Sequence, residues 1–488
     1  MSFKRTTRIR EGTPAEEQEV VHSDDDLLDG ACFITQLRKS PGSGWCGEPR
    51  RPGDCPLPST ERHGEPRVFS TRFGPRLRPD DVPFSRSIVK VLPLLLGGLV
   101  LSLVASCQRK SSLIFTEVAS GLDYGHESVP AVPWSIHVVR IDRSHSEYSL
   151  QSLHANARAV GLSPLSEQLR QIPPSLGVPV AAINGDFYQR ERAYMGDPRG
   201  LQISFGELLS APKGGVAFWV GSDGNFQATN VSPHFEITWP DGRATAFGLN
   251  EERASTGLVL FTPAMGTSTH TTGGVEWLLR PAPADPWLPL RPNRMLSAVV
   301  AEVFTNGDTR LVPGTLVLSS GPALAKSLPA LPIGAEVKLS TATLPTLGDI
   351  PTALSGGPML VRDGQTLKLP TPTADSYEFN SMFERHPRSA LGWNRSYFYL
   401  VEVDGRRKGV SVGMTLAELG KYLVQLGCEQ AMNLDGGGSA TLWCDGAVRN
   451  QPADGRERPI ANALAVIRQP VNMRTNLPPT SLPVVPAR

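Results

Sequence analysis

The sequence predicts an α+β fold, a single domain with a mixed, β-rich sheet core and a few flanking helices. Three observations lead to this prediction. Short segments rich in β-branched and aromatic residues recur between residues 201 and 350, separated by turn residues. On either side of that region, an amphipathic helical pattern precedes a short buried strand that ends in a polar, glycine-containing turn. The 47 glycines and 44 prolines indicate many turns and disfavour a helical bundle.

The N-terminal part indicates export. Residues 1–85 lack helical or strand periodicity, which predicts a disordered extension, or an untranslated one if translation starts near Val82. The apolar run 91–106 is shorter than the roughly 20 residues of a membrane span and suits an export signal. It ends at Cys107 in a sequence that resembles a bacterial lipobox. Residues 86–107 are therefore expected to be a lipoprotein-type signal peptide with Cys107 lipidated, and an uncleaved signal anchor is the alternative.

The folded domain is predicted to span residues 113–470. Residues 135–141 are expected to form a strand because of their β-branched content, and residues 148–153 are expected to be its antiparallel neighbour. A helix over 163–172 and a strand over 178–183 follow. The shorter strands of the middle region are predicted at 216–220, 226–229, 235–239, 258–261, 296–304, 316–319 and 336–340. A further strand is predicted at 397–403, and the Pro-rich tail 471–488 is expected to be disordered.

A second helix, over residues 415–426, is the best-marked element. Four leucines fall on one face, Thr415 and Glu418 have the spacing of a capping box, and Gly427 is a stop signal. The predicted strand 430–434 comes next and ends in Asp435, three glycines and Ser439. Such a turn is either a tight structural connection capped by the aspartate or an anion or sugar site built from backbone amides.

The first helix and strand end in a similar way, at Asn184, Gly185 and Asp186. If these two strand ends lie side by side, their polar groups converge in one cleft. The net charge of +1 gives no support for a nucleic-acid partner. Of the six cysteines, only Cys428 and Cys444 belong to the folded domain, where a disulfide and two buried thiols are both open.

Five motifs occur together in a fixed order. They are Ile183-Asn184-Gly185-Asp186-Phe187, Gly356-Gly357-Pro358-Met359-Leu360, His386-Pro387-Arg388-Ser389-Ala390-Leu391-Gly392, Asn433-Leu434-Asp435-Gly436-Gly437-Gly438-Ser439-Ala440-Thr441 and Arg458-Pro459-Ile460-Ala461-Asn462. Over residues 130–470 this set resembles the phosphodiester glycosidase family. The chain has Asp186 where that family commonly has glycine, and Ser389 where threonine is usual.

The resemblance implies a hydrolase, a glycosidase that cleaves the glycosidic C–O bond of a sugar-1-phosphodiester. It implies that Asp435 acts as the carboxylate at the sugar and Arg388 clamps the phosphate, with Asp186 and His386 as further catalytic candidates. Its substrate-binding candidates are Asn184, Gly185, Gly356, Gly357, Gly436, Gly437, Gly438, Ser439 and Asn462.

The expected setting is the bacterial cell envelope, as a periplasmic or outer-membrane lipoprotein held on the membrane by its lipid. The substrate is then an envelope or exopolysaccharide-type glycan. Two alternatives remain, a non-catalytic glycan-binding lipoprotein and a metal-dependent phosphodiesterase that cleaves P–O. No motif specifies a cofactor, and metal binding stays open because Asp186, Asp435, Asn184 and Asp363 are oxygen donors compatible with Ca²⁺ or Mg²⁺. The lack of histidine clusters argues against zinc.

Overall fold

Antiparallel strands are the main regular element of the computed structural model, which describes residues 113–155, 160–190, 194–282, 287–369 and 378–470. Strands hold 44% of this part and helices 9%, so the predicted α+β class is wrong and the fold is β-rich. The two predicted helices do form, but they are short, and stretches left unassigned by sequence pattern are strands. The N-terminal extension, the signal peptide with Cys107 and the Pro-rich tail lie outside the described residues.

The elements follow one another as several short strands interrupted by three α-helices. The strands are β1 (Phe115–Ala119), β2 (Leu122–Val129), β3 (Trp134–Asp142), β4 (Tyr148–His154), β5 (Val178–Asn184), β6 (Gln202–Ser204), β7 (Glu207–Ser210), β8 (Val216–Val220), β9 (Phe226–Asn230), β10 (Ser232–Thr238), β11 (Ala244–Ala246), β12 (Gly248–Leu249), β13 (Leu258–Phe261), β14 (Val275–Pro281), β15 (Met295–Phe304), β16 (Leu316–Ser320), β17 (Glu336–Leu344), β18 (Ala353–Ser355), β19 (Met359–Arg362), β20 (Gln365–Thr366), β21 (Arg388–Trp393), β22 (Tyr397–Val403), β23 (Gln430–Asn433), β24 (Leu442–Cys444), β25 (Ala447–Val448) and β26 (Asn462–Arg468). The helices are α1 (Leu165–Arg170), α2 (Glu378–Phe383) and α3 (Leu416–Gln425).

These strands form four sheets. Sheet I has the order β1-β2-β3-β22-β21-β23-β19-β20, and sheet II has the order β25-β24-β5-β26-β4. Sheet III is β7-β6-β18-β8-β9, and sheet IV is β11-β10-β17-β15-β14-β16-β13-β12. Among the pairings of the described strands, only that of β12 with β13 is parallel. The predicted mixed core is therefore almost purely antiparallel, which short connections between sequential strands allow.

Sheets I and II pack face to face and position the site. The core between them contains Leu391 and Leu400 from sheet I and Ile183 and Leu464 from sheet II, all fully buried. Helix α3 covers the outer face of sheet I, and α1 covers the outer face of sheet II. The result is four layers, namely α3, sheet I, sheet II and α1. Each helix covers one outer sheet face and contains few residues.

Sheets III and IV share a separate core from the middle of the chain. Trp219 of sheet III, Phe235 and Trp277 of sheet IV, and Trp239 directly after β10 are buried in it, and each exposes 5% or less of its surface. The sequence-based prediction of β-rich structure between 201 and 350 is confirmed, because the alternating apolar residues do pair into sheets. No helix in the described part of the chain combines the length and apolar character that a bilayer span requires.

The prediction that residues 135–141 and 148–153 pair with each other is wrong. Strand β3 pairs with β2 and β22 in sheet I, whereas β4 pairs with β26 in sheet II. The segment of β2, with Gly125, His126 and Glu127 in its middle, has too little alternation to be recognised as a strand. The partners of β3 and β4 are therefore strands that no local pattern connects to them.

Candidate active site

The site lies where the ends of β5 and β23 meet, at the junction of sheets II and I. The Asp435 amide donates to the Gly185 carbonyl at 3.0 Å, and the Gly185 amide donates to the Asn462 carbonyl at 3.0 Å. The Leu434 amide donates to the Ser389 carbonyl at 2.8 Å. The two polar strand ends singled out by sequence thus come together, although their strands belong to different sheets.

Asn184 holds this junction together. Its Nδ2 donates to the Asp435 carbonyl at 2.7 Å, and its Oδ1 accepts from the Ser389 hydroxyl at 2.6 Å and the Thr441 amide at 3.1 Å. The side chain is buried and bonded at both ends. Asn184 therefore positions the backbone on either side of Asp435. The Ser389 hydroxyl holds the Asn184 side chain in place, as the hydroxyl of the usual threonine could.

The triglycine turn passes through a space that side chains would close. Gly437 has φ +61°, in the left-handed region that favours glycine. A Cβ at Gly436 would lie 2.6 Å from the Pro387 carbonyl oxygen, and one at Gly438 would lie 1.9 Å from Nη2 of Arg458. The glycines thus let the turn approach the Pro387 segment and the Arg458 guanidinium.

Two carboxyl groups with different acidities meet at this turn. Burial raises the pKa of Asp435 to about 6, although the Ser439 hydroxyl, the Gly436 amide and two arginines act in the opposite direction. Burial raises the pKa of Asp186 to about 8, and the Asp435 carboxylate adds to the shift. Oδ2 of Asp186 has no partner at hydrogen-bonding geometry, although the Gly200 amide is near enough to lower the pKa.

Arg388 is buried beside the turn and is occupied by main-chain carbonyls. Its Nε donates to the Met414 carbonyl at 2.7 Å, and its Nη2 donates to the carbonyls of Ser381 and Glu384. Burial and the Arg406 charge lower the pKa of Arg388 to about 10. Its positive charge therefore lies near Asp435, while two of its donor groups fix the backbone around it.

Three other arginines approach the turn more openly, and the sequence analysis did not single them out. Arg190 and Arg458 both lower the pKa of Asp435, and Nη2 of Arg406 would lie 3.2 Å from a Cβ at Gly437. Arg458 also pairs with Asp454 at 2.7 Å. The signal that could have found Arg458 is its place in the last of the five motifs, and Arg406 directly follows the Asp404-Gly405 turn.

His386 and Tyr188 flank the same turn. Nδ1 of His386 lies 3.5 Å from Nη2 of Arg406, and its Nε2 lies 3.1 Å from the exposed Glu384 carboxylate. Burial and the charges of Arg388 and Arg406 lower the pKa of His386, which favours its neutral form at pH 7. The Tyr188 hydroxyl donates to the Pro459 carbonyl at 2.9 Å, and Ser439 lies within hydrogen-bonding reach of it.

The remaining binding candidates take up structural bonds. The Gly356 amide donates to the Val216 carbonyl at 3.2 Å, and the Gly357 amide donates to the Asn433 carbonyl at 2.9 Å. The Gly436 amide bonds the Asp435 carboxylate at 2.8 Å, and the Gly437 amide bonds the Pro387 carbonyl at 2.9 Å. These amides already have acceptors within the protein. They shape the turn and are not free to bind an anion, contrary to what the glycine run had suggested.

Asn462 lies inside the candidate site, whereas Asp363 lies away from it. The Oδ1 of Asn462 accepts from the Asp186 amide at 2.8 Å, which places Asn462 directly behind the second carboxylate. Asp363 lies in the β19–β20 turn beside Gln430, at the other end of β23 from Asp435. The four oxygen donors considered for Ca²⁺ or Mg²⁺ are therefore not assembled, because only Asn184, Asp186 and Asp435 share one junction.

Cys428 and Cys444 are free, buried thiols in two different core clusters, one on each face of sheet I. The alternative of a disulfide between them is thereby excluded. A cavity of about 600 Å³ lies beside β4 and α1, lined by His154 and Gln168 among others. None of the predicted site residues lines it, so the site is the polar junction and not this cavity.

Comparisons with known proteins agree with the family named from the motifs. Residues 296–467 match the family model described as phosphodiester glycosidase. A 95-residue stretch is 32% identical to the SPbeta prophage-derived protein YomE of Bacillus subtilis (strain 168), and it covers 19% of this chain and 15% of that protein. The chain thus spans only a small part of the length of this relative.

Three solved structures are similar. A hypothetical protein from Synechocystis has a TM-score of 0.58 and 22% identity over 73% of this chain and 64% of its own. A protein described as exported, from Burkholderia pseudomallei K96243, has a TM-score of 0.52 and 18% identity over 68% and 74%. The zebrafish N-acetylglucosamine-1-phosphodiester alpha-N-acetylglucosaminidase catalytic domain, auto-inhibited by its pro-peptide, has 14% identity over 74% and 85%, with a TM-score of 0.38.

The matched segment contains most of the site described above. It includes Arg388, Arg406, Asp435 and Arg458, whereas the end of β5 with Asp186 precedes it. The first two structures share the fold alone. Residues 296–467 of this chain therefore carry a match to the phosphodiester glycosidase family model.

Proposed function

We propose that this protein hydrolyses the glycosidic C–O bond of a sugar-1-phosphodiester in an envelope or exopolysaccharide-type glycan. The observation behind this proposal is the meeting of Asp435 and Asp186 beside several arginines, with pKa values of about 6 and about 8. Paired carboxyl groups whose environments separate their pKa values can divide the base and acid roles of glycoside hydrolysis. The adjacent guanidinium groups suit the phosphate half of the same substrate.

The two carboxyl groups take different roles in this mechanism. Between pH 6 and pH 8, Asp435 is ionised and stabilises the positive charge that develops at the anomeric carbon, or activates the attacking water. Asp186 keeps its proton in the same range and can give it to the departing phosphate oxygen. The C–O bond breaks with its electrons on that oxygen, and the water oxygen forms the new bond to the sugar while the proton that the water loses passes to the Asp435 carboxylate.

The phosphate group is bound by charge from several sides. Arg406 and Arg458 lie against the triglycine turn, where their donors suit an oxyanion, and Arg190 adds a positive charge that acts on Asp435. Arg388 contributes its charge from a buried position, because its Nε and one terminal nitrogen are bonded to carbonyls. The phosphate clamp is thus a group of arginines, in which Arg388 is the anchored member.

The first experiment supplies N-acetylglucosamine-α-1-phosphodiesters in oxygen-18 water and measures free sugar at pH 7. We expect the label in the sugar and an Asp435→Asn rate lower by about 10²–10⁴-fold, the usual contribution of one acid–base group. Asp363→Asn is the matched control, because Asp363 is exposed and distant from the turn. It should keep the wild-type rate.

Other results of this experiment would replace the proposal. Label in the phosphate would identify a phosphodiesterase that cleaves P–O, and loss of its activity with chelator would make that enzyme metal-dependent. A folded protein that releases no sugar but retains a phosphodiester glycan, before and after Asp435→Asn, would be a glycan-binding protein.

The proposed location is the cell envelope, with a lipid on Cys107 holding the protein to the membrane. The apolar run before Cys107 and the fold shared with a protein described as exported support it. Cells fed radioactive palmitate should label the wild-type chain, and Cys107→Ala should abolish the label. Equal labelling of both chains would contradict lipidation at this position.

A further inference from the structure

A row of polar residues crosses the inner face of sheet I beside the candidate active site. The strand register places Ser389 opposite Glu402, Glu402 opposite His137, and His137 opposite His126. Residues directly opposite each other in antiparallel strands share a face. Further along the same strands, that face carries Leu391, Leu400 and Val139 in the core between sheets I and II. Polar groups at such depth need partners, since burying them unpaired is costly.

Glu402 lacks such partners. It is 1% exposed, and neither of its carboxylate oxygens has a hydrogen bond at normal geometry. The Asn450 amide is near enough to favour the charged form, but it already donates to the Ala440 carbonyl. Within the described residues no lysine or arginine is ion-paired with Glu402 or with the neighbouring Asp404. An unpartnered carboxyl group thus points into a closed interior.

His137 and Asp404 complete a compact donor set with Glu402. One ligand atom from each of the three lies within 4.8 Å of the others, and all three side chains are buried. Nε2 of His137 is 3.3 Å from Oδ2 of Asp404, and the Ser135 hydroxyl is 3.0 Å from the same oxygen. This group combines one imidazole, two carboxylates and one hydroxyl in a space without solvent.

The surroundings prepare His137 as a ligand. The Tyr124 hydroxyl lies 2.8 Å from Nδ1 of His137, so Nδ1–H can donate to it and leave the Nε2 lone pair directed at the carboxylates. His126 stacks on the ring at 4.4 Å between centroids. Arg449 lies 5.3 Å from the Tyr124 ring and donates to carbonyl and carboxylate groups of its own turn.

We propose that His137, Glu402 and Asp404 bind one divalent transition-metal cation, Zn²⁺ or Mn²⁺, with the Ser135 hydroxyl completing the set. A dication neutralises two buried carboxylates, and mixed imidazole and carboxylate donors suit these metals better than Ca²⁺ or Mg²⁺. Ligands about 2.1 Å from one cation lie at most ~4.2 Å apart, which is close to the 4.8 Å within which the three ligand atoms already lie. This site is separate from the oxygen donors at Asp435.

The cation would join β3 to the end of β22. Asp404 is followed by Gly405 and Arg406, and a Cβ at Gly405 would lie 2.5 Å from the Pro387 nitrogen. The cation therefore sits behind the segment that places Arg406 against the triglycine turn. Its role is structural, because the donor set is closed to solvent and leaves no position for substrate.

The test uses the untagged full chain, stripped with chelator and then dialysed against Zn²⁺ or Mn²⁺ alone. Elemental analysis should find about one cation per chain for at least one of these metals, and its addition should raise Tm. In Glu402→Gln the content should fall below about a tenth of an equivalent, and Tm should no longer respond. Glu276→Gln is the matched control, because Glu276 is a fully buried glutamate of sheet IV bonded by Ser319 and three threonines.

Either of two results would overturn this proposal. A stripped wild-type chain that takes up neither metal would leave a proton as the partner of Glu402, whose pKa burial raises well above its ordinary value. Equal uptake by wild type and Glu402→Gln would place the bound metal elsewhere. If Glu402→Gln does not fold, His137→Gln replaces it, with the same expected loss and the same contradicting result.

Discussion

At the scale of single residues, the site depends on how the surroundings give two aspartate side chains different pKa values. Asp435 and Asp186 are both aspartates beside glycines, yet Asp186 is 3% exposed whereas Asp435 keeps partial contact with solvent. Burial raises both pKa values, and the neighbours separate them: the Ser439 hydroxyl and two arginines lower the pKa of Asp435, whereas the Asp435 carboxylate raises that of Asp186. The sequence could nominate both carboxyl groups but could not order their acidities, because the order depends on which groups from distant chain segments lie beside each of them.

This difference predicts a bell-shaped pH dependence of sugar release. Activity should fall below about pH 6, where Asp435 takes up a proton, and above about pH 8, where Asp186 loses one. Asp186→Asn should lower the maximum rate and abolish the alkaline fall, because no proton remains to be lost there. The rate profile from pH 4.5 to pH 9.5 measures both limbs. An alkaline limb that survives in Asp186→Asn would assign the upper pKa to another group.

The hydrogen-bond partners of Arg388 could not be predicted from its motif. Its sequence context predicts a phosphate clamp, and the structure adds that its Nε and Nη2 bind backbone carbonyls. A buried guanidinium needs such acceptors, because leaving its donors unpaired costs about 1–3 kcal/mol each. Whether Arg388 touches the phosphate depends on tertiary contacts that follow from α2 and the Met414 segment and not from its neighbours in sequence.

At the scale of elements, local signals were reliable where a helix end was involved. The capping box is confirmed: the Thr415 hydroxyl accepts from the Glu418 amide, and the Glu418 carboxylate accepts from the Thr415 amide. Helix α3 ends at Gln425, and Gly427 with φ +93° follows, as the glycine stop signal predicted. These interactions join residues three or four positions apart, so a sequence window contains them entirely.

Removing the cap of α3 should weaken the helix that covers sheet I. Thr415→Ala should lower the free energy of unfolding by about 0.5–2 kcal/mol, because it leaves the Glu418 amide without its acceptor. Thr415→Ser keeps a hydroxyl and should stay near wild type. Urea unfolding followed by circular dichroism measures both. An Ala variant as stable as the Ser variant would show that the cap contributes nothing to global stability.

Strand partners were less predictable than helix ends. Many strand positions were predicted to within one or two residues, including 216–220, 258–261 and 397–403. The pairing of β3 with β4, by contrast, was wrong, because sheet II takes β4 as the partner of β26, more than 300 residues later. A strand pattern indicates which residues face a core but not which strand supplies the neighbouring hydrogen bonds.

At the scale of the whole molecule, the site exists because two sheets are packed against each other. Asp435 comes from sheet I and Asp186 from sheet II, and the apolar layer between the sheets brings their ends together. Neither sheet carries both carboxyl groups. Catalysis in the proposed mechanism is therefore sensitive to packing well away from the reacting atoms, since positioning errors of about 1 Å can cost about 10²-fold in rate.

A cavity in that apolar layer should affect stability and activity together. Leu464→Ala, at a fully buried position of β26, should lower the free energy of unfolding by about 2–5 kcal/mol. The sugar-release rate per folded molecule should also fall. Ile333→Ala is the control, because Ile333 is 67% exposed and both quantities should stay unchanged. Calorimetry with a parallel activity assay measures the pair. Reduced stability with full activity would show that the junction does not depend on this layer.

The sequence by itself determined the local features: the capped helix α3, twelve of the 26 described strands, the two polar strand ends and the motifs that carry the family resemblance. These depend on residues close together in the chain or on short patterns of side-chain type. Tertiary structure alone decided the almost purely antiparallel pairing, the partners of β3 and β4, the acidities of Asp435 and Asp186, and the meeting of His137 with Glu402 and Asp404. The reason is physical, since strand pairing and desolvation arise from contacts between segments that lie hundreds of residues apart.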